Sequence, residues 1–312
     1  KEKSIENLDK EASMSYSGMR VVMCLPDFIR IEKRINAWMD TQNQPVQKKA
    51  LRELHKLIRR YIQLGVEPLF VEPHPDFQDM CFAANVGWCQ WARLIYGNFV
   101  GEMAEARGGE IALYRKWFSK YRAEFADVEF VEWPLPCYGF AGQGDVVTVG
   151  EEKSQAVVLV GYGQGRTDYE AHAVIRELHG LASYQVIPVR LVDPLCYDLD
   201  FMCLYIPSFG TLPPTLIWYP PGTDITGQRA IASLVDAHDQ VILSKQDAYR
   251  ACCNGVFIQH NKGITILMHA PSFALVSKLK KRGYQVIKQP THEFLKNGGS
   301  IRCLSLFIRR CV

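Results

Sequence analysis

The 312-residue chain has no apolar run near the roughly twenty residues that a membrane-crossing helix needs. Its longest, such as Ala156-Val-Val-Leu-Val160, stop far short, so no membrane span is expected. The polar opening from Lys1 to Ser13 lacks the apolar core of a secretory signal. Ten cysteines include no Cys-x-x-Cys pair and the eight histidines are scattered, so no metal site is expected. Most of those cysteines sit in apolar runs, where a thiol acts as a small hydrophobe, and this points to a reducing, intracellular setting, cytoplasm or mitochondrial matrix. Neither sign of charge dominates: 36 Lys and Arg face 33 Asp and Glu, which gives no general attraction to a polyanion. No Pro/Ser-rich linker or low-complexity stretch divides the chain. Gly161-Tyr-Gly-Gln-Gly165 follows a strand but lacks the spacing of a dinucleotide turn and the lysine of a phosphate loop. It reads as a turn that aims Arg166, and no cofactor is expected.

What is present is an ordinary globular balance, 48% hydrophobic and 22% charged, enough to bury a sizeable core. About eleven short β-branched runs, beginning near residues 20, 68, 155, 184, 201, 215, 240, 255, 263, 284 and 301, are bounded by Gly, Pro or Asp and predict strands. Residues 45 to 64 predict an amphipathic helix with Leu51, Leu54, Leu57, Ile58 and Tyr61 on one face and Gly65 as its stop. Its other face carries Lys48, Lys49, Arg52, Lys56, Arg59 and Arg60. That face reads as solvated, and any nucleic-acid contact is confined to it, through Lys49, Arg52, Lys56 and Arg59. A second helical region is expected over 89 to 125, broken at Gly108-Gly109, and a further helix near 168 with Asp168 as its cap. Shorter helices fit 226 to 237, 245 to 252 and 271 to 282. Strands and helices alternate throughout, so the expected class is α/β: residues 1–18 a polar N-terminal extension, residues 19–312 one domain with a helical insertion near 89–125.

Four segments place polar or reactive residues beside strand ends. They are Pro75-Asp-Phe-Gln-Asp79 running to Asn85, Phe140-Ala-Gly-Gln-Gly-Asp145, Leu191-Val-Asp-Pro-Leu-Cys-Tyr-Asp198-Leu-Asp200, and Glu293 through Gly298-Gly-Ser-Ile-Arg-Cys303. Convergent carboxylates suit a planar guanidinium, which hydrogen-bonds two acids at once. A cysteine beyond a Gly-Gly turn is placed to attack the guanidinium carbon. At these residues, and at Met23-Cys-Leu-Pro-Asp-Phe28, Ile35-Asn36-Ala-Trp38-Met39, Gly161 to Asp168, Asn254-Gly-Val256 and Gly298 to Leu304, the chain resembles the pentein superfamily, above all its arginine dihydrolase branch. The likeness runs from about residue 20 to 308. It implies a pentein-type α/β propeller of pseudo-fivefold ββαβ units.

Carried over by motif, the resemblance makes Cys303 the nucleophile, Asp79 and Asp200 the guanidinium-binding acids, and Arg166 the holder of an α-carboxylate. Asn36 and Asn85 would line the site. Where the family pattern reads F-Y-H-L-D, this chain has Cys196-Tyr-Asp198-Leu-Asp200, so Asp198 stands in place of the acid/base histidine. Where the pattern reads F-E-G-x-G-D, Ala141 replaces the carboxylate that orients it. Breaking a guanidinium C–N bond needs a proton for the departing amine and a base for water, and such transfer contributes roughly 10²–10⁴-fold. A solvated Asp, with a pKa of about 3.9, has no proton to give at neutral pH, although crowding by Asp200 raises it. The expectation is a guanidino-binding protein without the original chemistry, serving as a binding or structural subunit beside protein partners. The alternative is an active Cys303-dependent guanidine hydrolase or amidinotransferase. His172, His179 and Asn254 are expected to be packing, surface or turn residues.

Overall fold

Aliphatic runs too short to stand alone alternate with helices that have one apolar face, and the chain resolves this by repeating one plan five times. The computed structural model describes residues 19–309, so the polar segment 1–18 and Cys311 lie outside the described residues. The first unit holds β1 (Met19–Cys24), α1 (Gln47–Gln63) and β2 (Glu67–Val71). The second holds β3 (Gly87–Gln90), β4 (Arg93–Tyr96), the pair α2 (Gly101–Arg107) and α3 (Glu110–Lys120), and β5 (Glu129–Val131). The third runs β6 (Val146–Val149), β7 (Val157–Tyr162), α4 (Ala171–His179) and β8 (Val186–Arg190). The fourth is β9 (Cys203–Ile206), β10 (Thr215–Trp218), α5 (Ile225–Ala232) and β11 (Gln240–Ile242), followed by the short α6 (Lys245–Ala248). The fifth is β12 (Val256–His260), β13 (Gly263–Met268), α7 (Phe273–Lys281) and β14 (Gln285–Lys288). Then α8 (His292–Leu295) leads into β15 (Leu306–Arg309).

In every unit a first strand pairs antiparallel with the second, and the second pairs parallel with the third, as in Val146↔Val160 and Val158↔Val186. A parallel partner needs a crossover, and a helix supplies it each time. The first unit takes its antiparallel strand from the other end of the chain, with Val22 opposite Leu306. Both ends of the described chain are thereby tied into one three-stranded sheet. The five sheets stay separate and form no continuous barrel among the described residues. The expected ββαβ repeat is therefore present.

Helix α1 follows its pattern: Leu54, Leu57, Ile58 and Tyr61 are buried at three- and four-residue spacing, and Lys48, Lys49, Arg52, Lys56, Arg59 and Arg60 are exposed. No described helix is long and apolar enough to cross a membrane.

Two expectations fail locally. The 89–125 region opens as the β3–β4 hairpin, with Gln90 opposite Arg93 across Trp91-Ala92, both at positive φ (48° and 58°). No Gly or Asn marks that turn, so its apolar flanks merge with the helical pattern that follows. The break at Gly108-Gly109 does occur; a side chain at Gly109 would come within 2.4 Å of the Phe77 ring. The pair α2 and α3 occupies the crossover position that a single helix fills elsewhere. Asp168 does not cap α4: its Oδ2 accepts the Gly139 N–H at 2.6 Å and pins the segment ahead of β6, while α4 starts without a side-chain cap.

Each antiparallel strand is entered through a tight turn, at 83–86 before β3, 142–145 before β6 and 199–201 before β9, with irregular turns before β12 and β15. The strands then run away from those turns toward hairpins at their far ends. Residues placed in the entry turns therefore share one end of the repeat.

Candidate functional site

The entry turns carry the residues that the sequence singled out. Cys303, in the turn before β15, is 2% exposed. Its Sγ accepts a hydrogen bond from Asn254 Nδ2 at 2.9 Å and lies 3.8 Å from Asp200 Oδ2, toward which the thiol donates. Asn254 Oδ1 in turn accepts the Cys303 N–H at 3.2 Å. Asn254 therefore positions the thiol directly, which corrects its assignment as a plain turn residue. Asp200 also faces Arg302, whose Nε is 3.7 Å from its Oδ2.

Asn85 ties three of the units together. Its Nδ2 donates to the Ala141 carbonyl at 3.0 Å and to Asp198 Oδ2 at 3.3 Å, while its Oδ1 accepts from Arg107 Nη1 at 2.9 Å. Arg107 turns its remaining fork onto Glu110, 2.7 Å from Nη2 to Oε2, and onto the carbonyls of Asp79 and Phe82. Asp79 is held at both oxygens, by Gln78 Nε2 at 3.1 Å and Asn297 Nδ2 at 2.8 Å. Asn36 acts one step further out. Its Nδ2 donates to the Asn297 carbonyl at 3.0 Å, which holds Asp79's neighbour, and its Oδ1 accepts the Trp38 N–H at 2.9 Å, which fixes the amide itself.

Arg166 projects from a turn in which Gly163, Gln164 and Gly165 all have positive φ. This is a conformation glycine adopts without penalty and Gln164 does not. The guanidinium stacks 4.4 Å above the Tyr197 ring, and its Nε has no partner among the described residues.

The packing leaves little freedom. A methyl group at Gly144 would lie 2.8 Å from Asn85 Nδ2 and 2.9 Å from Asp198 Oδ2. Asp198 and Asp200 are 0% exposed, as is Asp145, whose Oδ1 accepts the Leu199 N–H at 2.9 Å. Five buried acids (Asp79, Glu110, Asp145, Asp198, Asp200) thus surround three cations (Arg107, Arg166, Arg302). One oxygen each of Asp145, Asp198 and Asp200 has no hydrogen-bond partner among the described residues. Burial costs a carboxylate heavily unless it is paired. Burial accordingly pushes Asp145 and Asp200 well up, with Asp198 adding to both, and raises Asp198 against the pull of Arg166. Glu110 rises to about 7 through burial, against the pull of Arg107. The Cys303 thiol is pushed well above its usual range by burial and by the neighbouring Asp200 and Asp198, so in the free protein it is a thiol, not a thiolate. The expectation of a solvated, ionised Asp198 is thereby corrected: the carboxyl is sealed from water and holds a proton more readily than a free Asp.

No histidine hydrogen-bonds to Cys303 among the described residues; its side-chain partners are an amide and a carboxyl. His179 packs against Trp88 and Trp91. Among the described residues, one group could hold a metal ion, Asp236, His238 and Asp239; the first two are exposed and the third pairs with Arg282. The sequence reading left out Arg107, Glu110, Asn297 and Arg302 as site residues, and Asp145 it quoted without assigning a role. Asp145, Asn297 and Arg302 lie inside or beside the quoted motifs. Arg107 and Glu110 flank Gly108-Gly109 in a helical stretch that carries no motif.

No known family model matches the chain. Over 93% of its length it is 28% identical to N(G),N(G)-dimethylarginine dimethylaminohydrolase of Mycobacterium tuberculosis, of which it covers 85%. It is also 28% identical to the bifunctional arginine dihydrolase/ornithine cyclodeaminase ArgZ of Synechocystis sp., spanning only 37% of that protein. Its structure is similar to the N-terminal domain of the cyanobacterial arginine dihydrolase ArgZ, solved with substrate bound, with a TM-score of 0.79, 27% identity, and coverage of 93% of this chain and 98% of that domain. Its five ββαβ units and acid-lined entry turns are arranged as in these relatives, so the chain is similar in sequence and fold to dimethylarginine hydrolases and arginine dihydrolases, as the likeness to the pentein superfamily implied.

Proposed function

We propose that the chain binds a guanidino compound of the arginine type among its buried acids, and that it does so as a binding or structural subunit rather than as a hydrolase. The observation that carries this reading is the surplus of acids: five against three cations, with three carboxyl oxygens lacking any donor. A planar cation with five N–H donors meets both needs at once. The argument against turnover is the residue at 198. A carboxyl there has no imidazole-like balance of acid and base near neutrality, and with alanine at 141 no side chain remains at that position to orient it.

A second reading is favoured by one specific feature, the raised proton affinity of Asp198. In it the Cys303 thiol passes its proton to Asp200 Oδ2, 3.8 Å away, which later returns it to the displaced sulfur, and the sulfur adds to the guanidinium carbon; the C–N bond breaks and the amine leaves with the Asp198 proton. The resulting carboxylate then takes a proton from the water that displaces sulfur.

Calorimetry with arginine, methylated arginine and agmatine, paired with assays for citrulline, ornithine, urea, ammonia and alkylamines, separates the two. Saturable binding without product supports the first reading. Product formation lost in Cys303→Ser establishes the second. Absence of binding by all three compounds overturns both.

A further inference from the structure

Five strands run from the acid cluster, four of them into hairpins and β15 alongside β1, and at that far end they surround a cavity of about 160 Å³ that none of the site residues described above lines except Arg302. Every unit contributes to its wall. Trp91, Tyr205, Phe257 and Phe307 are half-buried there and present aromatic surface to the space, with Thr148 beside them. At its inner end Arg302 anchors itself by donating from Nη2 to the Val146 carbonyl at 3.0 Å, while its Nε faces Asp200. The side chain still keeps 17% of its surface open. The other charge on the lining, Glu151, is exposed and screened by solvent.

A partly open aromatic wall with one guanidinium at its inner end has a definite chemical complement. Aromatic surface gains by covering an apolar body, and a guanidinium donates charge-assisted hydrogen bonds to a carboxylate. The volume admits one ring and its substituent. We propose that this cavity is a second ligand site, distinct from the acid cluster, for a small planar monocarboxylate whose apolar ring packs on Trp91, Tyr205 and Phe257 and whose carboxylate meets Arg302. The site shares Arg302 with the acid cluster, but it does not depend on the guanidino reading, since its other lining residues lie outside that cluster and its ligand carries the opposite charge.

The test is titration of the full chain with benzoate, followed by calorimetry and by the fluorescence of the wall tryptophans, with benzyl alcohol as the uncharged control. Benzoate is expected to bind one to one with a Kd at or below about 1 mM, a range suited to so small a ligand. Benzyl alcohol is expected to bind at least about tenfold more weakly, and Arg302→Gln to lower benzoate affinity by a similar factor. Because Arg302→Gln also strips Asp200 of a cation and can unfold the chain, Thr148→Phe, which fills the cavity without touching the acid cluster, carries the test independently and is expected to abolish binding. No saturable benzoate binding to the unaltered protein, equal affinity for benzyl alcohol, or undiminished binding to folded Thr148→Phe overturns the proposal. Arginine binding in the same samples is read separately, so loss of the guanidino site leaves this result unaffected.

Discussion

Replacing Asp198 with Asn isolates the central electrostatic claim, because the side chain keeps its shape and loses only its charge. The carboxyl is 0% exposed, one of its oxygens has no partner, and it raises the proton affinity of both Asp145 and Asp200. In the unfolded chain its pKa is about 3.9. In the folded chain it is higher, so the native state binds more protons than the unfolded state above about pH 4, and stability falls as pH rises through that interval. Each tenfold change in proton affinity corresponds to about 1.4 kcal/mol. Asn removes this penalty and part of that on its two neighbours, while its own carbonyl still accepts the hydrogen bond from Asn85 Nδ2. The expected gain is about 1–3 kcal/mol at pH 8, or roughly 2–4 °C in Tm per kcal/mol, shrinking toward zero near pH 4. Thermal unfolding followed by circular dichroism at pH 4.5, 6 and 8 measures it. An Asp198→Asn protein that is less stable than the parent at pH 8, or that shows the same offset at all three values, refutes the reasoning.

Three further outcomes follow from the same geometry. Arg107→Met leaves Glu110 buried without its cation and is expected to cost about 3–5 kcal/mol in denaturant unfolding; adding Glu110→Gln is expected to restore most of it, with a coupling measured by a double-mutant cycle. Arginine must displace protons from the raised acids, so its affinity is expected to rise from pH 5 to pH 8, by up to about tenfold per pH unit for each proton released, and calorimetry in buffers of different ionisation enthalpy counts those protons. The pair Ala141→Glu with Asp198→His is expected to raise product formation from arginine by roughly 10²–10⁴-fold, and a folded, arginine-binding double variant with no gain would show that the impairment lies elsewhere.

The fold was readable where a short run carried its own punctuation. All eleven runs flagged by Gly, Pro or Asp flanks became or contained strands, and α1 was legible because its apolar residues keep a helical period. The strands β3 and β4 went unread because the Trp91-Ala92 turn between them holds positive φ without the residues that usually favour it; β5 and β6 were missed as well, although β6 lies between Asp145 and Gly150. At the site, motifs located the residues that face the ligand but not those that hold them. Arg107 reaches Asn85 across 22 positions, Asn297 reaches Asp79 across 218, and Asn254 reaches Cys303 across 49. Contacts of that separation are created by the ring of entry turns, and nothing local in the sequence announces them.

The two departures from the family pattern, alanine at 141 and aspartate at 198, are one change when seen in space. Asn85 Nδ2 touches both, at the carbonyl of Ala141 and the carboxyl of Asp198, so the two positions are neighbours across a single amide. The pattern would place a glutamate on one side of that amide and a histidine on the other; this chain places nothing on the first side and an acid on the second. The number of carboxyl groups is the same in both arrangements. What differs, on the motif likeness behind the proposed function, is the imidazole. A binding site needs the acids to meet a guanidinium, and a hydrolase needs the imidazole as well. Restoring glutamate alone would add a sixth acid to a cluster already short of cations, and restoring histidine alone would leave a ring without the glutamate that orients it in the family pattern. Under the proposed reading the joint reversal is therefore the one expected to return proton transfer without disturbing the charge that attracts the ligand, and each single reversal is expected to fall short of it in the same product assay.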